Sequence, residues 1–180
     1  MKKPTRKVEG SKPIYGVKTE KDISIKMRDG VRLVADIYRP DAKGKFPALL
    51  AYGPYGKELQ TLTLTFPPQA RPSPLWDGCI EAGDTNYIVP RGYVQVVVDA
   101  RGTGASEGEC CAIYGVGGGC EGRDCYDLID WIAAQPWCDG NVGMLVISYY
   151  ATVQVLAAAE KPPHLKALFR NGGHYESTDL

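Results

Sequence analysis

A chain of 180 residues with 44% apolar content can bury the core of one domain and is too short for two sizeable ones. Its 21 basic and 21 acidic residues cancel, so no global field draws it to nucleic acid or to an anionic membrane. Lys2, Lys3, Arg6, Lys7 and Lys12 cluster at the start, interrupted by Pro4, Gly10 and Pro13 and followed by no apolar block. Residues 1–20 therefore read as a basic, flexible, solvated tail, not as a leader or membrane span, and a cytoplasmic location is the expectation.

Beyond the tail, residues 22–27 alternate apolar and polar through Ile23, Ile25 and Met27, break at Arg28-Asp29-Gly30, and resume through Val31, Leu33, Ala35 and Ile37. This pattern predicts an antiparallel hairpin. Residues 46–52, 93–99, 142–147 and 165–170 are short runs, apolar on both faces, as strands covered on two sides must be. Cys125, Leu128, Ile129 and Ile132 recur at helical spacing within 121–135, which Pro136 ends, and a second helical run over 149–160 stops before Pro162 and Pro163. Alternating strands and helices after an opening hairpin predict an α/β domain over residues 21–180 with a mostly parallel sheet.

The six cysteines are Cys79, Cys110, Cys111, Cys120, Cys125 and Cys138. They are too sparse for a disulfide scaffold in a chain able to build a core, and none falls at Cys-x2-Cys spacing, so free thiols and no zinc site are expected. The adjacent Cys110 and Cys111 leave a redox or adventitious metal site open.

In a parallel sheet, chemistry gathers in the loops beyond the carboxyl ends of the strands. Three such loops stand out. Gly53-Pro54-Tyr55-Gly56-Lys57 offers a tyrosine hydroxyl as a hydrogen-bond donor. The loop over 99–108 carries Gly102 and Gly104 after a strand, a partial dinucleotide fingerprint. It fails as one, because Glu107 stands where the third glycine belongs and no helix follows at once; an ion pair between Asp99 and Arg101 fixing the loop is expected instead. The third loop is the junction at Ser148, between the strand 142–147 and the helix 149–160. A serine on such a corner lifts its hydroxyl above the sheet edge, where the first N–H groups of the helix face the same space. Attack by a neutral serine needs a base, normally a histidine oriented by a carboxylate. The two histidines are His164, on the far edge of the predicted sheet, and His174, just after its last strand.

The string Glu121-Gly122-Arg123-Asp124-Cys125-Tyr126-Asp127-Leu128-Ile129-Asp130-Trp131-Ile132, the segment Trp137-Cys138-Asp139-Gly140-Asn141-Val142-Gly143-Met144 and the corner Ile147-Ser148-Tyr149 resemble the nucleophile region of the Xaa-Pro dipeptidyl-peptidase and CocE/NonD (cocaine esterase-like) serine hydrolases. Met27-Arg28-Asp29-Gly30-Val31-Arg32-Leu33, Tyr38-Arg39-Pro40, Pro54-Tyr55-Gly56-Lys57 and Asp99-Ala100-Arg101-Gly102-Thr103-Gly104 follow the same family's order. The resemblance implies the N-terminal part of an α/β-hydrolase fold that cleaves an ester or peptide acyl bond in a small-molecule substrate, without metal or organic cofactor. Carried over by position, it implies that Ser148 is the nucleophile of an acyl-enzyme, with the Tyr55 hydroxyl and the Tyr149 backbone N–H as donors to the oxyanion.

The chain departs from the family pattern at Val146 and Ala151, where members carry glycine. The resemblance also places the acid, the base, the cap and a β-sandwich beyond the last residue here. A non-catalytic fragment, or a module completed by a partner chain, is therefore the alternative. Without a further strand beside it, 165–170 is expected to be an exposed edge through which the chain self-associates.

Overall fold

The structure, a computed structural model, describes residues 10–62, 80–110 and 119–171. Six strands form one sheet in the order β1-β2-β4-β3-β5-β6: β1 (Val17–Lys26), β2 (Arg32–Pro40), β3 (Phe46–Gly53), β4 (Val94–Asp99), β5 (Cys138–Ile147) and β6 (Leu165–Asn171). β1 and β2 pair antiparallel, as do β2 and β4; the β4-β3-β5-β6 part is parallel. The helices are α1 (Thr85–Ile88), α2 (Gly119–Ala133) and α3 (Ser148–Ala159). Each predicted strand and helix is present within a few residues of its expected ends, with one exception.

The exception is β1, which begins at Val17 and pairs Val17 with Pro40 and Glu20 with Ile37, so the expected tail over 1–20 extends too far into the fold. A bulge between Glu20 and Ile23 explains the error. Asp22 sits there at φ 55°, and the register shift moves the charged first half of the strand out of phase with the apolar second half. Upstream of β1, Tyr15 also packs edge-on against Phe46.

The main core follows from the two periodicities. Leu128, Ile129, Ile132 and Cys125 of α2, with Val153 and Ala157 of α3, close on Ala48, Leu50, Tyr52, Val94, Val96, Val98, Val142 and Met144 of the sheet, all buried. Burying one such aliphatic side chain is worth about 1.5–3 kcal/mol. A smaller cluster joins Tyr38, Ala51, Ala82, Val89, Val97, Val146 and Tyr150. The chain passes from β3 to β4 on one side and then crosses to β5 on the other, so the strand order reverses at β3. Crossings of this kind open a crevice beyond the carboxyl ends of the flanking strands, and the loop after β3 therefore meets the corner after β5.

Among the described residues β6 is an edge strand, with Phe169 52% and Leu168 40% exposed. Beside it lies an apolar groove of about 390 Å³ lined by Leu49, Leu145, Ala167 and Phe169, with Tyr87 and Arg91 on the α1 side. Unpaired, apolar edges template pairing with another chain. The expected outcome in sedimentation velocity is concentration-dependent association that Phe169→Lys reduces; a monomer at all concentrations would contradict it.

Candidate functional site

The corner after β5 is built by a conformational switch in two residues. Ile147 is extended at φ −115° and ψ 170°, and Ser148 turns into the left-handed region at φ 57° before α3 begins. A non-glycine residue there carries a steric cost of roughly 1–2 kcal/mol, because its Cβ crowds the following carbonyl. The turn leaves Ser148 exposed while Val146 and Tyr150 on either side are buried.

Tyr150 fixes the neighbouring loop. Its ring lies where a Cβ on Gly53 would sit, so β3 ends in a glycine because only a bare backbone admits that ring. Tyr55, 37% exposed, then leans on the first turn of α3, its ring centroid 6.1 Å from that of Tyr149 and 6.1 Å from that of Tyr150. Tyr149 is held from behind: its hydroxyl donates to Glu121 Oε1 at 2.7 Å, and burial raises the pKa of that carboxyl. The structure thus gathers Ser148, Tyr55 and Tyr149 at one mouth of the sheet.

The loop after β4 is stiffened differently from the expectation. Asp99 does not pair with Arg101. Its carboxylate accepts from the amides of Lys57 at 2.6 Å and Ala105 at 2.9 Å, and a Cβ on Gly104 would strike it. Arg101 instead makes a forked contact with Asp124, Nε to Oδ2 at 3.0 Å and Nη2 to Oδ1 at 2.5 Å, and a third with Asp29 at 2.7 Å. Tyr52 donates to the same Asp124. Neighbours in sequence on a turning loop point apart, and α2 supplies a carboxylate in better register with the guanidinium. Gly104 serves this loop's packing rather than a pyrophosphate.

Val146 is fully buried in the cluster with Tyr38, Ala51, Ala82, Val89, Val97 and Tyr150, and Ala151 is fully buried as well, so both side chains are accommodated where the family carries glycine. The only described histidine, His164, places Nδ1 3.0 Å from the Gly140 carbonyl, at the opposite end of β5 from Ser148. That separation is about 25 Å at the strand rise. His174 and Cys111 lie outside the described residues. Cys125 and Cys138 are buried free thiols, but Cys120 is disulfide-bonded, which corrects the expectation of free thiols throughout. Overall cysteine density decides whether a chain needs a scaffold and says nothing about a single bridge.

A group that sequence reasoning missed sits against the corner. Glu81 accepts from the Ile147 amide through its own carbonyl at 3.4 Å, and Gln60 Oε1 takes the amides of Glu81 and Ala82 at 2.9 and 3.1 Å. Its carboxylate faces the Ser148 hydroxyl and the amides of Tyr149 and Tyr150. Burial raises its pKa, and those three donors offset part of the rise. Oε2 is buried with no hydrogen-bond partner. No periodicity or spacing marks Glu81, since the contact is made only when the chain folds.

Residues 29–177 match the family described as X-Pro dipeptidyl-peptidase (S15 family). The chain belongs to that family. A cocaine esterase from Rhodococcus sp. (strain MB1 Bresler) is 40% identical over 149 residues, which is 82% of this chain and 22% of the esterase. Among solved structures, a CocE/NonD family hydrolase from Staphylococcus aureus superposes with a TM-score of 0.63 at 33% identity over 83% of this chain and 26% of that one. An alpha-amino acid ester hydrolase superposes with a TM-score of 0.64 at 26% identity, over 93% and 28% respectively. This S15 family chain therefore has the N-terminal part of an α/β-hydrolase fold and spans about a fifth of the length of the esterase it matches. No helix among the described residues is long and apolar enough to cross a membrane.

The raised pKa of Glu81 sets a stability prediction with a definite sign. The folded carboxyl keeps its proton to higher pH than the unfolded one, whose ordinary value is 4.5. Its contribution is therefore full below that value and is lost as pH climbs through the folded pKa. Glu81→Gln is expected to gain thermal stability relative to the parent on going from pH 4 to pH 7. A constant difference between the two across that range would contradict the burial of the charge.

Proposed function

We propose that the protein is a serine hydrolase cleaving an ester or peptide acyl bond through an acyl-enzyme on Ser148. Ser148 Oγ attacks the carbonyl carbon and its proton passes to a base. The carbonyl oxygen takes the negative charge and accepts hydrogen bonds from the Tyr55 hydroxyl and from the Tyr149 amide, which the Glu81 carboxyl group must first release. Collapse expels the alcohol or amine with a proton, and water then releases the acid. Donors aimed at charge that appears only in the transition state are worth about 3–4 kcal/mol each.

The observation that carries this reading is an exposed serine at φ 57°, on the first residue of a helix after a buried parallel strand, in an S15 family chain. The named relatives include an esterase and an ester hydrolase, and the family takes its name from a peptidase, so an acyl bond is the shared substrate chemistry. A histidine base would come from outside the described residues, because His164 is a strand's length away. A cytoplasmic setting rests on the sequence reading alone, and the disulfide at Cys120 weighs against it.

A second reading, a module inactive until completed by further hydrolase elements, is favoured by the remoteness of His164 and by the Glu81 carboxylate crowding the hydroxyl. Fluorophosphonate labelling separates the two. The proposal expects one adduct, on Ser148, abolished in Ser148→Ala and slowed on the order of 10²–10³-fold in Tyr55→Phe. Equal labelling of parent and Ser148→Ala would refute the nucleophile, and silence from both would favour the inactive module.

A further inference from the structure

The segment that carries Tyr55 has no regular structure, so its position depends on how its two ends are held. At the near end the Gly53 carbonyl accepts from the Ala100 amide at 3.0 Å. At the far end Lys57 is anchored twice. Its amide donates to Asp99 at 2.6 Å, and its side chain turns inward, leaving the residue 2% exposed. The ammonium donates to Asp22 Oδ1 at 2.7 Å and lies 3.3 Å from Asp36 Oδ1. Asp36 is fully buried in β2, where it also takes Lys21 Nζ at 2.6 Å and the Asp22 amide at 3.1 Å.

Stability alone does not account for this arrangement. Desolvating an ion costs several kcal/mol even after relaxation, and buried pairs are often matched or exceeded in stability by well-packed apolar residues of the same volume. What a buried pair imposes is geometry, since moving the ammonium off Asp36 would leave a buried charge uncompensated; the other carboxylate near it, Glu58 at 3.9 Å, is exposed. Asp22 is held at φ 55° in the β1 bulge, which fixes its backbone, while its side chain is mostly exposed; Asp36 is the buried half of the receiving site. Gly56, at φ 83°, makes the turn between Tyr55 and Lys57.

We infer that Lys57 is a positioning residue for Tyr55: its ammonium, docked on Asp22 and Asp36 of the opening hairpin, holds the loop so that the tyrosine stays against the first turn of α3. This rests on the oxyanion role proposed for Tyr55. It gives the β1 bulge and the buried aspartate of β2 a task at the site, although neither touches a reacting atom.

The test combines two readouts on the full chain. In the first, Lys57→Met is expected to slow fluorophosphonate labelling of Ser148 about as much as Tyr55→Phe does, on the order of 10²-fold, with half-saturation unchanged. In the Tyr55→Phe background Lys57→Met should cause no further loss, as expected for a residue acting through another. Ile132→Val, which loosens the core far from the loop, should leave the rate unchanged. In the second, 3-fluorotyrosine at Tyr55 is followed by fluorine NMR, which needs no reactive serine. Its resonance should move in Lys57→Met and stay in Ile132→Val. Should Lys57→Met fail to fold, Asp22→Asn, which keeps a residue tolerant of positive φ, is read instead and should move the resonance in the same direction by less. An unmoved resonance in a folded variant, or a labelling loss that persists in the Tyr55→Phe background, would overturn the inference. Equal labelling of parent and Ser148→Ala would instead count against the nucleophile and leave the fluorine result to decide the role of Lys57.

Discussion

A single left-handed residue, Ser148, organises this part of the molecule. The backbone enters the corner extended and leaves it as a helix, and the change of direction is compressed into one peptide whose side chain must then stand clear of the sheet. Such strain persists only where the surroundings over-determine it. Here Val146 is locked in a packed cluster on one side, Tyr150 is buried on the other, and α3 is pinned to α2 through the main core. The corner's conformation is thus enforced by apolar burial while Ser148 itself stays exposed, its hydroxyl facing the Glu81 carboxyl group.

The loops around the corner are held by carboxylates rather than by secondary structure. Asp99 gathers amides from two loops, Asp124 receives the Arg101 fork, and Asp36 receives the buried Lys57. Each lies in or at the end of a regular element and reaches out to irregular chain. Loops must satisfy their backbone groups locally or with such partners, and a carboxylate accepts several donors at once. The consequence is a mouth whose floor is held at three points, with the Glu81 carboxyl as an additional titratable group beside the hydroxyl.

Much of this was legible in the sequence, for reasons that particular residues make clear. The runs 46–52 and 142–147 read as strands because they are apolar on both faces, and Pro136 and Pro162 mark helix ends without regard to tertiary context. Ser148 and Tyr55 stood out as candidates because the corner and the loop are local features, while Tyr149 and the roles of all three came from the family resemblance. What stayed hidden depends on contact between distant segments. The first half of β1 was lost because the bulge at Asp22 breaks the alternation. Arg101 was matched to its sequence neighbour Asp99, whereas its partners Asp124 and Asp29 are remote in the chain. Glu81 gave no signal. Lys57 gave one that went unread: Asp36 lies within the apolar run Val34 to Ile37, and a carboxylate facing a core needs a cation.

The decisive measurement is the relative stability of Ser148→Gly and Ser148→Ala in denaturant unfolding. On the first turn of an ordinary helix, glycine is the worse residue by about 1 kcal/mol. At a left-handed corner the order inverts, because glycine alone is free of the Cβ clash worth roughly 1–2 kcal/mol. The account predicts Ser148→Gly to be the more stable of the two. Ser148→Ala as the more stable variant would mean that the serine sits in regular helix, and the corner, with the chemistry proposed for it, would not exist.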